Sequence, residues 1–165
     1  MSREGPRRDG WDQEAAMAGR HGVLALLFGG LLAACATQPP QGLGVKNARL
    51  AACPASPNCV SSQEADERHR IAPLAILDDV DEGWRRLQQV LERRSDTRVI
   101  VSETEYVRVE FRTPLGFVDD AEFLLDREGR LVHVRSASRL GYSDLGKNRD
   151  RLEEVRVAFG KGRVR

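Results

Sequence analysis

Several things are scarce in this 165-residue chain, and each scarcity narrows the field. Lys and Arg number 26 against 25 Asp and Glu, a net charge of +1, so no excess of one sign points to nucleic acid as a partner. Aromatic residues make up 5%, too few and too scattered for a base-stacking platform. Three cysteines are too few for a disulfide-dense scaffold. There is no phosphate loop, no dinucleotide glycine pattern and no metal-ligand spacing, so neither cofactor nor metal is expected. What remains, 41% hydrophobic and 31% charged, is the composition of one globular domain.

The apolar residues are unevenly spread. Residues 22–34 read GVLALLFGGLLAA, shorter than the ~20 residues of a membrane-spanning helix but the right length for the core of a signal peptide. Leu32-Ala33-Ala34-Cys35 closes this run and resembles the lipobox of bacterial lipoproteins. The resemblance implies cleavage before Cys35 and lipidation of its sulfur; an ordinary signal peptide or a buried segment is the alternative. Residues 1–16 carry Glu4, Asp9, Asp12 and Glu14, unlike a basic signal start. Met17 opens a better signal, so 1–16 is expected to be an over-extended gene start and 17–34 the signal peptide. Residues 35–52, with Pro39-Pro40, Gly42 and Gly44, read as lipid anchor and flexible tether. The expected location is the bacterial cell envelope, facing the periplasm and anchored to the membrane. Ala36, rather than Asp, after the cysteine weakly favours the outer membrane.

The folded unit is expected over residues 53–160, with 161–165 a basic tail. Cys53 and Cys59 bracket a short Pro-containing loop, where a disulfide leads over a metal or redox pair. Asp79 as N-cap and Glu82 open a helix to about Arg94, with Val80, Trp84, Leu87 and Leu91 on one face. Trp84 reads as core rather than a ligand platform. Val99–Val101 is a β-branched run. Tyr106–Thr113 alternates Val107, Val109 and Phe111 against Arg108, Glu110 and Arg112, a strand with one face in water. Two further strands flank the turn at 126–129. Their register is expected to pair residues whose numbers sum to 255: Phe123 with Val132, Ala121 with Val134, Asp119 with Ser136. On the solvent side Asp120 faces Arg135 and Glu122 faces His133. A last helix over 144–159, capped by Ser143 or Asp144, turns Leu145, Asn148, Leu152, Val155 and Phe159 inward. The fold class is α+β: an antiparallel sheet of about four strands, two helices on one face, order α-β-β-β-β-α.

Polar residues intrude on the apolar side. Asp119, Ser136, Ser138 and Asn148 all point there, and a buried carboxylate needs donors, so a connected network is expected at the sheet–helix corner. It is either structural or the lining of a pocket. In the second case Arg135, Arg139 and Arg149, near the start of the last helix, would hold an anion, unless they pair with Asp119, Asp120 and Asp144. Catalytic signatures are weak. His133 projects away from Ser136 and Ser138, and Asp119 and Asp120 diverge on their strand.

The motifs Cys53-Pro-x-Ser-Pro-Asn-Cys-Val-Ser-Ser62, Phe117-Val-Asp-Asp120 and Arg135-Ser-x-Ser-Arg-x-Gly-Tyr-Ser-Asp-x-Gly-x-Asn-Arg149 resemble the domain of unknown function 1499. The family has no established activity to carry over. The resemblance implies that Asp119, Asp120, Arg135, Ser136, Ser138, Arg139, Tyr142, Asp144, Asn148 and Arg149 belong to its signature. The leading expectation is a lipid-anchored envelope domain binding a small anionic ligand or an envelope protein. The alternatives are a hydrolase using Asp119 as general base with Asn148 and Arg139 as stabilisers, or a purely structural envelope component.

Overall fold

The computed structural model describes residues 38–162. The leader and Cys35 lie outside the described residues, as does the end of the basic tail. The compact domain begins at Pro39. Strands β1 (Cys59–Ser61) and β2 (Leu74–Ala75) precede helix α1 (Val80–Glu92), which is followed by β3 (Thr97–Ser102), β4 (Tyr106–Arg112), β5 (Val118–Asp126), β6 (Leu131–Ser138) and helix α2 (Lys147–Lys161). All the strand pairings are antiparallel, in the order β1-β6-β5-β4-β3, with β2 also on β6. The class is the expected α+β, but with six strands rather than four. β1 and β2 are too short to show a period-two pattern, and prolines flank both.

Local chemistry starts and stops these elements. The Asp79 carboxylate accepts the Glu82 N–H at 3.0 Å and caps α1. Gly83 sits on the inner face of α1 because a Cβ there would come within 2.6 Å of Ile76. Gly116, at φ +86°, closes the turn after β4 by donating its N–H to the Thr113 carbonyl at 2.9 Å. Between β5 and β6 the turn occupies 127–130. Asp126 accepts the Gly129 N–H at 2.8 Å and Arg130 takes a left-handed conformation, φ 51°.

That turn corrects the expected register. Asp126 pairs with Leu131, so partners sum to 257 rather than 255: Phe123 faces Val134, Ala121 faces Ser136, Asp119 faces Ser138, Asp120 faces Ala137 and Glu122 faces Arg135. A shift of two preserves every side chain's face, which is why apolar patterning alone could not tell the two registers apart. The last helix is corrected as well. It starts at Lys147 rather than 144, because Leu145 and Gly146 are both left-handed. Leu145 therefore leaves the inward stripe and is 94% exposed, while Asn148, Leu152, Val155 and Phe159 are buried as expected.

Both helices cover the same face of the sheet. Trp84, Leu87 and Leu91 of α1 and Leu152, Val155 and Phe159 of α2 share one core with Val107, Val109, Phe111, Ala121, Phe123, Leu125, Val132 and Val134. The opposite face, expected to meet solvent, is covered in its middle. Leu50 packs there with Tyr106 and Leu124, and the Gly44 N–H reaches the Glu122 carboxylate at 2.7 Å. Leu50 and Cys53 donate their N–H groups to the side chains of Gln63 and Glu64. The second half of the expected tether is thus bound to the domain. Cys53 and Cys59 form a disulfide.

Candidate functional site

Two polar clusters sit back to back across β5. On the helix side, Asn148 is fully buried where α2 meets β6. Its amide nitrogen lies 3.1 Å from the Asn58 carbonyl, 2.9 Å from the Ser138 hydroxyl and 2.8 Å from the Asp144 carboxylate, and its oxygen accepts the Ser136 hydroxyl. Ser138 in turn donates to Asp119, whose other oxygen accepts from the Arg151 guanidinium. Arg151 also lies over the Phe111 ring, 4.9 Å from its centroid, and reaches Asp96 at 3.5 Å. Asp144 additionally accepts the N–H groups of Gly146 and Asn148 at 3.0 and 2.8 Å, doing the work of an N-cap two residues early.

On the other face, Arg139 binds Asp120 with two nitrogens, at 2.7 and 2.8 Å, and Glu110 at 2.6 Å. Glu110 is shared with Arg112 at 2.7 Å. Glu122 takes Arg135 at 3.2 Å and the Tyr106 hydroxyl at 2.8 Å. The electrostatics follow. The hydrogen bonds that Arg139 donates to Asp120, outweighing burial, hold its guanidinium protonated above its ordinary range. Burial opposes ionisation of Glu110, but the hydrogen bonds from Arg139 and Arg112 outweigh it and depress its pKa. Burial, reinforced by the Glu122 carboxylate, raises that of Tyr106. Asp120 and Glu122, expected on a solvated face, are fully buried.

A cleft of about 330 Å³ opens above the helix-side cluster, between the 113–118 segment and the 138–147 loop. Asp119, Ser138 and Asp144 form its floor; Phe117, Leu140 and Leu145 wall it, and Lys147 borders it. Ser136 and Asn148 are sealed in the protein, at 0% exposure. Tyr142 stands exposed on the same loop. Asp120, Arg135 and Arg139 belong to the other face, so the expected arginine clamp does not assemble. Arg149 is spent on the carbonyls of Arg70 and Arg68, at 2.8 and 3.2 Å. Each Asp119 oxygen accepts one donor, from Ser138 and from Arg151. Among the described residues, no group of His, Cys, Asp or Glu is arranged to hold a metal.

Sequence reasoning missed several members of these clusters, among them Arg151, Asn58 and Glu110. Arg151 lies three residues beyond Asn148 on the same helix face, so helical spacing could have found it. Asn58 sits inside the Cys53–Cys59 loop, where its side chain holds the Gly141 carbonyl at 2.6 Å. Glu110 was visible in the strand pattern but read as solvent-facing.

No curated protein and no solved structure gives a significant match. The family described as Protein of unknown function (DUF1499) matches residues 49–159, a span that takes in both polar clusters, the cleft, the disulfide partner Cys59 and four residues ahead of the expected domain start. The chain belongs to that family.

Proposed function

We propose that this protein is a lipid-anchored binding module of the cell envelope, and that the cleft beside α2 receives an apolar group of its ligand or partner. The observation that carries the reading is the concentration of exposed apolar side chains around one cleft. Leu115, Phe117, Leu140, Tyr142 and Leu145 are all exposed on its two flanking loops. Leu145 is also left-handed at φ 55°, a costly backbone state for a branched side chain that its 94% exposure does not repay within the fold. Below them, every polar group of the floor is already hydrogen-bonded within the protein, which supports a preformed seat over reacting groups. The anchor rests on the lipobox-like Leu32-Ala33-Ala34-Cys35.

The test is fluorescence of anilinonaphthalene sulfonate, an apolar probe, with the folded protein and with Phe117→Ser and Leu140→Ser variants. The expected result is a bright, saturable signal that drops several-fold in both variants while their unfolding midpoints stay unchanged. A dark probe with the native protein, or equal brightness in the variants, would overturn the reading.

A further inference from the structure

The sheet face opposite the helices carries cations outside any ion pair, of which Arg49 also donates to the Gln63 carbonyl at 2.7 Å. Among the described residues, Lys46, Arg49, Arg98 and Arg108 take part in no ion pair. Arg98 and Arg108 project from this face, being in register with Glu110 and Val101. Lys46 and Arg49 belong to the turn leading into Leu50, which packs on the same face. The buried acids beneath them are matched, Asp120, Glu110 and Glu122 by Arg139, the exposed Arg112 and Arg135. Glu122 lies across from Arg108 and Glu110 across from Arg98, but both acids are already held by Arg135 and by Arg139 and Arg112, so the four cations remain in excess over Glu103 and Glu64 at their borders.

The chain also leaves the domain on this face. Pro40 borders the same depression as Val101, Tyr106 and Arg108. Four residues lie between it and Cys35, and the five steps from Cys35 to Pro40 span at most about 18 Å. A helix packed on a sheet is itself about 20 Å through, so a lipid on Cys35 cannot bring the outer side of the helices to the bilayer without first passing this face.

We infer that the basic sheet face, carrying Lys46, Arg49, Arg98 and Arg108, lies against an anionic phospholipid surface and fixes the orientation of the domain on its membrane. The inference rests on the reading of Cys35 as the lipidated residue. The short leash holds the four cations within range of headgroup charge, which decays over about 8 Å at physiological ionic strength. Each contributes roughly a fivefold preference for an anionic over a neutral surface. The helices and the cleft beside α2 then face away from the membrane.

The experiment uses the protein purified from membranes, its mass measured, then placed in vesicles of neutral phosphatidylcholine or of phosphatidylcholine with phosphatidylglycerol. Amide exchange is followed by mass spectrometry. The expected result is exchange about threefold slower in segments 44–49 and 97–108 on the anionic vesicles. The protection is lost in high salt and in the variant combining Lys46→Gln, Arg49→Gln, Arg98→Gln and Arg108→Gln, with α2 unaffected throughout. Equal exchange on both vesicles in an acylated protein, or protection of residues 150–158 instead, overturns the basic face alone. A mass without acyl chains on Cys35 overturns the anchor and this inference together.

Discussion

Replacing Asn148 with Ala tests the central claim about the helix-side cluster. The Asn148 amide has two N–H groups and three acceptors within reach, and its oxygen takes the Ser136 hydroxyl. Three of these partners have other bonds: Ser138 keeps Asp119, Asp144 keeps the Gly146 and Asn148 backbone N–H groups, and the Asn58 carbonyl keeps the Ser138 N–H at 3.0 Å. The fully buried Ser136 hydroxyl is left without a partner. Such a group costs ~1–3 kcal/mol, so the substitution should cost about 2 kcal/mol, a sizeable part of the ~5–15 kcal/mol typical of a domain. Urea unfolding followed by Trp84 fluorescence measures it. Ser136→Ala alone should cost less, and the double variant should cost clearly less than the two added, since they share one bond. A loss below about 1 kcal/mol for Asn148→Ala, or additive losses, would refute the account of Asn148 as the joint between α2 and the sheet.

Leu145→Gly should raise stability by about 1 kcal/mol by relieving the left-handed backbone, while weakening the apolar probe; both are read from melts and titrations of the same sample. Gly83→Ala should lower stability by ~1–3 kcal/mol despite a better helix propensity, since its Cβ meets Ile76; a neutral result in urea unfolding would count against the close packing. Glu110 is depressed in the folded state, so its contribution is full above the unfolded value near ~4.3 and is lost as pH falls through its folded value. The urea midpoint should therefore fall steeply below about pH 4, and Glu110→Gln should flatten that slope. Reduction of Cys53–Cys59, a bond closing a short loop, should cost at most ~2 kcal/mol and lower the melting temperature by several degrees without unfolding the domain at room temperature.

Much of the architecture was legible because its long elements obey one period each. α1 shows its cap and its apolar stripe, and β4, β5 and β6 alternate cleanly. What escaped has physical reasons. β1 and β2 gain their pairing entirely from β6, so no local pattern marks them. The opposite sheet face looked solvated because a buried ion pair has the same residue types as an exposed one. Only tertiary structure brings Arg139 to Glu110, 29 positions away. Of the polar residues expected in the candidate site, Arg149 and Tyr142 lie outside both clusters, and the rest are split between the two sheet faces. Their division between two faces depended on Arg139 leaving the end of β6 toward Asp120, which strand parity after the last paired residue does not determine.

The bond between Asn58 and Asn148 joins positions 90 apart and so bears on how the domain acquires its structure. Cys53 and Cys59 lie close enough in sequence to meet early, but the loop they close stays unsatisfied until the last helix arrives. No N-terminal portion of the domain contains a complete core, because α2 supplies both its apolar lid and the amide that completes the Ser136–Asn58 joint. Folding should thus be a single late event dominated by distant contacts, slower than for a helical domain of this size, with α2 docking as its closing step.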